Sequence, residues 1–519
     1  MFTRIASTNR AAALVASAAL GLAVLVLSLG LTIAFGSRAD VQAGGGGFDW
    51  YVSPSGSNTD CRSWSTACHT IAQAVITATS GDRIHIAAGF YNEHLTLNKS
   101  LAITGTHPDR GLVTTINGSA PGPVIAVSAN YTVSLSGATI KNDQSASYGG
   151  GIANYGTLSL NDVVLTDITV TGYGGGLYNN GRATLDDVTI SHNTVMTYGG
   201  GIYNYLGSVV TLTNVTINDN HVTGGPGGGI FNLGTAILSD VVISGNVASG
   251  AGGGAYNQTG SSLAMSNVTL SGNMSSAQAG GGIVNDGYLM LTEVTFEGNT
   301  APDGGGIWNY SNGEAHLTNV TLYSNTATAD RGGGLWNQNG TAYLINVTLS
   351  GNTAQIEGGG IYNQFGTLDV INATIAYNRV MTVTATRAGG VANLGGTVTM
   401  DNSIIAFNDN RNCSGTISSG FGRNLDSSGD NTCQVADDLV GFDPLFGLLQ
   451  NNGGSTFTHA LRPGSWAIDN GENNSHVCAD TDQRGFHRPI DGDHSSIATC
   501  DIGAYEATID FYLPLVIRD

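Results

Sequence analysis

The hexapeptide Gly-Gly-Gly-Ile-Tyr-Asn stands at Gly199–Asn204 and again at Gly358–Asn363. Variants begin at Gly149, Gly174, Gly227, Gly252, Gly280, Gly304 and Gly332, and a worn copy, Gly389-Gly390-Val391-Ala392-Asn393, closes the series. The spacing is about 24 to 30 residues throughout. A period of that length marks a solenoid, in which each repeat buries its apolar face against its neighbours and has no private core. A chain of 519 residues can then be one continuous stack instead of several globular domains.

One period is enough to fold a coil. In Gly199 to Asn220, Ile202 and Asn204 share one face, Val210 and Leu212 share the next, and Val215 and Ile217 a third. Alternation with period two predicts three short half-buried strands. The breaks fall at Asn204 to Gly207, at Thr213-Asn214 and at Asp219-Asn220. Three strands and three turns make one triangular coil, and stacked coils pair each strand in parallel with its copies, about 4.8 Å away. Ile202, Leu212, Val215 and Ile217 then build apolar ladders inside an all-β parallel β-helix.

Two asparagine series keep the same period. One runs Asn154, Asn179, Asn204, Asn232, Asn257, Asn285, Asn309, Asn337, Asn363, Asn393; the other runs Asn193, Asn220, Asn246, Asn273, Asn299, Asn325, Asn352, Asn378, Asn408. An inward Asn at a turn can bond both the turn backbone and the Asn of the next coil, so both series are assigned to structure. The sequons at Asn214 and Asn267 follow from the Asn-Val-Thr turn itself.

Composition narrows the function. The net charge is −20, and Lys99 and Lys141 are the only lysines. A nucleic-acid partner needs clustered cationic side chains, so that class is excluded. Uronate polymers would be repelled unless a cation intervened. Six cysteines lie outside the repeats as three local pairs, Cys61/Cys68, Cys413/Cys433 and Cys478/Cys500, which predicts disulfides and an oxidising compartment. Arg4 and Arg10 precede an apolar run from Ala11 to about Gly36, and Val41-Gln42-Ala43 reads as a cleavage site. Residues 1–43 are therefore expected to be a signal peptide or, if uncleaved, an N-terminal membrane anchor, with the rest of the chain exported.

Residues 48–105 read as a cap with the first coils. Trp50-Tyr51-Val52 is a strand, Ile71, Ala74 and Val75 share a helical face, and Arg83-Ile84-His85-Ile86 is a strand after the Gly81-Asp82 turn. The order GDRIHIAAGFYNEHLTL to LAITG resembles the N-terminal end of pectin-lyase-like right-handed β-helices, where a short helix covers the first coil. The alternation of GGGIYN with VTLSGN resembles the repeats of polymorphic outer-membrane-protein-type surface β-helices and adhesins. Those resemblances imply a right-handed helix for residues 106–435. Residues 436–509 hold DPLFGLLQNNGGSTFTHALRPGSWAIDNG, TDQRGFHRPIDGD and CDIGAYE, which resemble the choice-of-anchor Q domain; Ser465-Trp466-Ala467-Ile468-Asp469 stands where that family has Ser-Pro-Ala-Ile-Asp. That implies a β-rich C-terminal module of surface proteins, and no catalytic residue carries over from it. Residues 510–519 form a terminal tail, too short to span a membrane.

Three groups are left for chemistry. Tyr178, Tyr203, Phe231, Tyr256, Trp308, Trp336 and Tyr362, interrupted by Val284, each follow an inward Ile, Leu or Ala. Alternation points them outward as a stripe on which sugar faces can pack, or whose rings shield the strands beneath. Asp303, Arg331, Glu357 and Arg387 precede their glycines where Tyr148, Tyr173 and Tyr198 stand in earlier copies. These predict a weak surface ion-pair ladder, with Asp303 and Glu357 about 9 to 10 Å apart at strand spacing. Asp480, Asp482, Asp491, Asp493 and Asp501 could hold Ca²⁺ on loops, or pair with Arg484. No other cofactor is implied. The expectation is a surface β-helix that binds an extracellular polysaccharide or a cell-surface partner along its flank. The rivals are a polysaccharide lyase or glycoside hydrolase, and a structural spacer in the envelope.

Overall fold

The computed structural model describes residues 47–106, 113–118, 121–141, 144–145, 148–384, 386–429, 432–433 and 439–508. The N-terminal segment expected to direct export and the tail at 510–519 lie outside the described residues.

Each repeat closes one coil of a right-handed parallel β-helix. In the coil beginning at Gly199 the strands are Ile202–Asn204, Val209–Thr213 and Thr216–Asn218, as the alternation predicts. A two-residue strand, His221–Val222, follows them. With one inward residue it is too short to show as alternation in the sequence. Among the described residues the strands stack into parallel ladders of 25, 13 and 10 members. The register is exact to the residue type: Ile202 pairs with Leu177 and Ile230, Tyr203 with Tyr178 and Phe231, Asn204 with Asn179 and Asn232. Ile202, Leu212, Val215 and Ile217 are buried in one core that runs the length of the coil stack.

The glycines do two different jobs. Gly199 lies at φ +67°, in the left-handed region where a side chain strains the backbone. Gly200 has ordinary φ, but a Cβ there would stand 2.3 Å from the carbonyl oxygen of Gly228 in the next coil. The first glycine turns the corner; the second lets adjacent coils close up. Asn214, between the second and third strands, and Asn267, within the continuous strand Ser262–Ser271, also sit at positive φ, +53° and +52°, a conformation that Asn tolerates better than most residues.

Both asparagine series form continuous buried ladders. Asn179 Nδ2 donates to Asn204 Oδ1, and Asn204 Nδ2 to Asn232 Oδ1, each at 2.8 Å. In the second series Asn246 Nδ2 donates to Asn273 Oδ1 at 3.0 Å and to the Ile217 carbonyl at 2.9 Å. Each amide thus satisfies its turn and its neighbour, so the polar column costs no unpaired group.

The first coil is covered by the helix Ile71–Thr77, with Ile71, Ala74 and Val75 buried as expected. Glu93 accepts from the Ile71 and Ala72 amides at 2.8 and 2.7 Å, and Lys99 Nζ donates to the Val75, Ile76 and Ala78 carbonyls. Both sets of groups that a helix end leaves without partners are met by charges from the coil below.

The C-terminal segment does not continue the stack. After Leu439–Val440, which pairs with Leu425–Asp426, comes an antiparallel hairpin, Phe446–Gln450 with Thr458–Leu461. The rest is irregular chain laid back along the 25-stranded sheet. Thr321 Oγ1 donates to the Phe457 carbonyl, Thr348 Oγ1 to Gln483 Oε1, Asn346 Nδ2 to the Thr481 carbonyl, and the Ala504 amide to Thr374 Oγ1. Thr321, Thr348 and Thr374 are buried by this contact, while Thr216, Thr269 and Thr295 at the same place in earlier coils are partly exposed. The three disulfides Cys61–Cys68, Cys413–Cys433 and Cys478–Cys500 are formed as the spacing predicts.

Candidate functional site

The outer surface of the 13-stranded sheet carries the aromatic series as one column. Its rings stack at coil spacing, with centroids 5.5 Å apart for Tyr178–Tyr203, 5.4 Å for Tyr203–Phe231, 5.2 Å for Phe231–Tyr256 and 5.4 Å for Trp308–Trp336. Val284 breaks the run, and Trp336 and Tyr362 meet at 6.3 Å in a tilted contact. The series lies outside the coil core, as alternation requires, but most of it is not a free surface. Tyr178, Tyr203, Phe231, Trp336 and Tyr362 are buried; Tyr256 and Trp308 remain partly exposed.

The reason is the column that precedes the glycines. Its residues lean onto the aromatic ring of the following coil. Tyr148 lies against Tyr178 at 5.4 Å, Tyr173 against Tyr203 at 4.9 Å and Tyr198 against Phe231 at 5.0 Å. Tyr148, Tyr173 and Tyr198 also stack on one another at 5.2 and 5.4 Å. Then the tyrosines stop. Pro226 holds the next position and Ala279 a later one. The rings these would cover by the same diagonal, Tyr256 and Trp308, are the two that stay partly open. At Pro226 the surface drops into an open cleft of about 380 Å³ lined by Tyr198, Tyr203, Pro226, Phe231, Leu233, Tyr256 and Gln258. Burial pushes the Tyr178 phenol up to about 12 and raises those of Tyr203 and Tyr256 as well, so these hydroxyls stay neutral and can both donate and accept.

Farther along, the covering column turns charged. Arg331 sits over the Tyr362 ring at 5.1 Å and pairs with Asp330 at 3.0 Å. Its amide donates to Asp303 Oδ1 at 3.4 Å. Glu357 accepts from Ser414 Oγ at 2.8 Å, and Arg387 donates to the Thr382 carbonyl. The expected alternating ladder of side-chain ion pairs does not form. Arg331 pairs with its own neighbour, and Arg387 turns to backbone in a loop of its own. Burial raises the Asp303 carboxyl above the usual range, with Asp330 adding to the effect and Arg331 opposing it. Asp330, which the repeat pattern does not single out, is the acid that matters to Arg331.

The acids of the C-terminal module separate. Asp482 is buried and pairs with Arg484 at 2.6 Å. Asp501 and Glu506 surround the fully buried Arg488, whose Nη1 lies 3.0 Å from Glu506 Oε2; burial raises both carboxyls. Asp491 and Asp493 come together with Asp469, with one oxygen of each within 4.8 Å of the others, while Asp480 and Asp482 do not join them. Asp469 was not visible as a member because it lies more than twenty residues upstream. Its carboxylate accepts from the Gly492, Asp493 and Thr499 amides, and Asp491 from Ser495 and Ser496, so these oxygens already cap loop backbone.

Fold and surface together define a right-handed parallel β-helix with an aromatic lateral face. Residues 176–354 match the family described as the right handed beta helix region, and residues 346–364 match the Chlamydia polymorphic membrane protein repeat. No match was found among curated protein sequences. Similar solved structures include pectate lyase Pel9A, at 16% identity and TM-score 0.32 over 90% of this chain and 98% of that one. XylC in complex with xylose aligns at 10% identity and TM-score 0.37 over 88% and 98%. Pectin methylesterase PemA from Erwinia chrysanthemi aligns at 15% identity and TM-score 0.25 over 58% and 89%.

Proposed function

We propose that this chain is an exported surface β-helix protein that binds a glycan along the lateral face of its 13-stranded sheet. The observation that carries the reading is the break in the tyrosine cover at Pro226, which opens a cleft floored by Phe231 and Tyr256. A sugar ring has an apolar face and a polar rim. Aromatic floors flanked by hydroxyls and an amide, here Tyr198, Tyr203 and Gln258, suit both. Coil-spaced rings also suit a polymer, whose successive residues can meet successive coils. The three disulfides and the repeat match support an exported, surface location.

The test is a glycan array, followed by titration of the hits against variants of the uncovered positions. Tyr256→Ala and Trp308→Ala are each expected to weaken binding about tenfold, the ~1.4 kcal/mol of one good aromatic contact. Pro226→Tyr restores the tyrosine at the gap and is expected to abolish binding by filling the cleft. Full retention of binding by Pro226→Tyr overturns the reading. Release of reducing ends or unsaturated uronates from the same glycans, measured with and without Ca²⁺, would replace it by an enzymatic one.

A further inference from the structure

The charged stretch of the same face holds an unusual concentration of unmet polar groups. Four buried atoms without a hydrogen-bond partner, Asp330 Oδ1, Arg331 Nε, Trp336 Nε1 and Tyr362 OH, belong to side chains grouped at one place. Arg331 touches both Asp330 and the Tyr362 ring, and Trp336 lies 6.3 Å from Tyr362. The contrast with the same column nearby is sharp, because Trp308 Nε1 donates to Gln338 Oε1 at 3.1 Å. Leaving a buried donor or acceptor unpaired costs about 1–3 kcal/mol, and native proteins seldom leave several side by side. Trp336 and Tyr362 are more than nine-tenths buried, so bulk water does not meet their needs.

We infer that this corner is a binding subsite for a single neutral sugar residue, a proposal that rests on the glycan reading above and extends it to a second place on the face. The chemistry of the groups selects the ligand. Asp303, Asp330 and Glu357 against Arg331 leave an acidic balance, which disfavours a uronate or other anion. A metal ion is disfavoured as well, since an indole N–H and a guanidinium N–H cannot ligate it. A neutral hydroxyl both donates and accepts. With one donor and two acceptor sites on each, two neighbouring hydroxyls of one sugar ring suffice to accept from the Trp336 and Arg331 N–H groups, bond the Tyr362 hydroxyl and donate to Asp330 Oδ1. The Arg331 side chain is about one-third exposed and has a flexible stem. It is the cover that must swing off the Tyr362 ring for a sugar to enter.

The test uses Tyr362→Phe, which removes only the hydroxyl, and Trp336→Phe, which keeps an aromatic ring at the position while removing the indole N–H. The probes are soluble β-1,4-linked hexasaccharides of glucose, mannose and xylose, with hexagalacturonate as the anionic comparison. Binding is followed by calorimetry and melting temperature in the absence of ligand. Each variant is expected to weaken binding of a neutral hexasaccharide about 5- to 10-fold, the loss of one hydrogen bond, while Tyr362→Phe, which deletes an unpaired buried hydroxyl, does not lower the melting temperature of the ligand-free protein. Tyr256→Ala serves as the control for the cleft. If Tyr256→Ala weakens binding and the two phenylalanine variants do not, the subsite is wrong and the glycan reading stands. Preference for hexagalacturonate overturns the neutral assignment. Binding of no hexasaccharide to the wild type overturns both.

Discussion

At the scale of single residues the repeat is a division of labour that one buried amide illustrates. Asn273 Oδ1 accepts from the backbone and side-chain nitrogens of Asn246, and its Nδ2 donates to Asn299 Oδ1 and to the Ile243 carbonyl, both at 2.9 Å. The two ends of the amide cannot be exchanged for like atoms. Asn273→Ala leaves the Asn246 backbone N–H without its acceptor and takes one bond each from Asn246 Nδ2, Asn299 Oδ1 and the Ile243 carbonyl, the first of these costing about 1–3 kcal/mol in a dry core. Asn273→Asp is expected to be worse despite its matching size, because a second oxygen would face the two acceptors and bring a buried charge with it. Urea denaturation of the two variants checks this: the order of stability should be wild type, then Asn273→Ala, then Asn273→Asp. The reverse order would show that side-chain volume, not donor-acceptor sense, holds the ladder. This much was legible in the sequence, since a period and a residue type suffice to assign an inward polar ladder.

At the scale of elements, legibility falls where contacts run diagonally. Inward positions of Ile202–Asn204 and Val209–Thr213 follow from alternation alone. The fate of the aromatic column does not. Whether Tyr203 is open depends on Tyr173, thirty residues earlier, and on how far that ring leans between coils. The substitution of Pro226 for a tyrosine is visible in the sequence, yet its meaning needs the lean. The cap helix shows the same limit. Its apolar face is readable from Ile71, Ala74 and Val75, but its polar ends are completed by Glu93 and Lys99 from the first coil. Lys99 holds three carbonyls at 2.9, 2.8 and 2.6 Å. Lys99→Met keeps the aliphatic stem and removes the donors. It is expected to cost about 1–2 kcal/mol and to raise hydrogen exchange in Ile71–Thr77, leaving the central coils unchanged. Uniform loosening along the whole stack would mean that the cap controls the helix globally.

At the scale of the molecule, the C-terminal module is a lateral brace instead of a further coil, and nothing periodic announces it. Thr321, Thr348 and Thr374 read like the free threonines of earlier coils, and the residues that meet them lie about 130 to 160 positions away. His459 sits in this joint. One ring nitrogen bonds the Gly447 carbonyl at 2.7 Å and the other Ser350 Oγ at 2.9 Å, with Phe446 stacked at 4.8 Å and Tyr377 at 5.6 Å. A neutral ring fits both bonds, with Nδ1–H donating to the carbonyl and Nε2 accepting from the hydroxyl. Burial holds its pKa below the ordinary 6.5. The unfolded chain therefore binds the proton more readily than the docked one, so the stabilisation from His459 is complete above pH 6.5 and is lost as pH falls below it, by at most about 1.4 kcal/mol per pH unit. Asp501 and Glu506, raised by burial in the same module, act in the opposite sense, losing stability as pH rises. A melting curve of the wild type alone mixes the two. His459→Gln keeps a polar side chain but removes the titration together with the ring contacts to Phe446 and Tyr377. Hydrogen-exchange protection of Thr458–Leu461 in the wild type should exceed that in His459→Gln at pH 7, with the gap closing by pH 5. A gap that stays constant over that range would place the pH response of the brace on its carboxylates and not on this histidine.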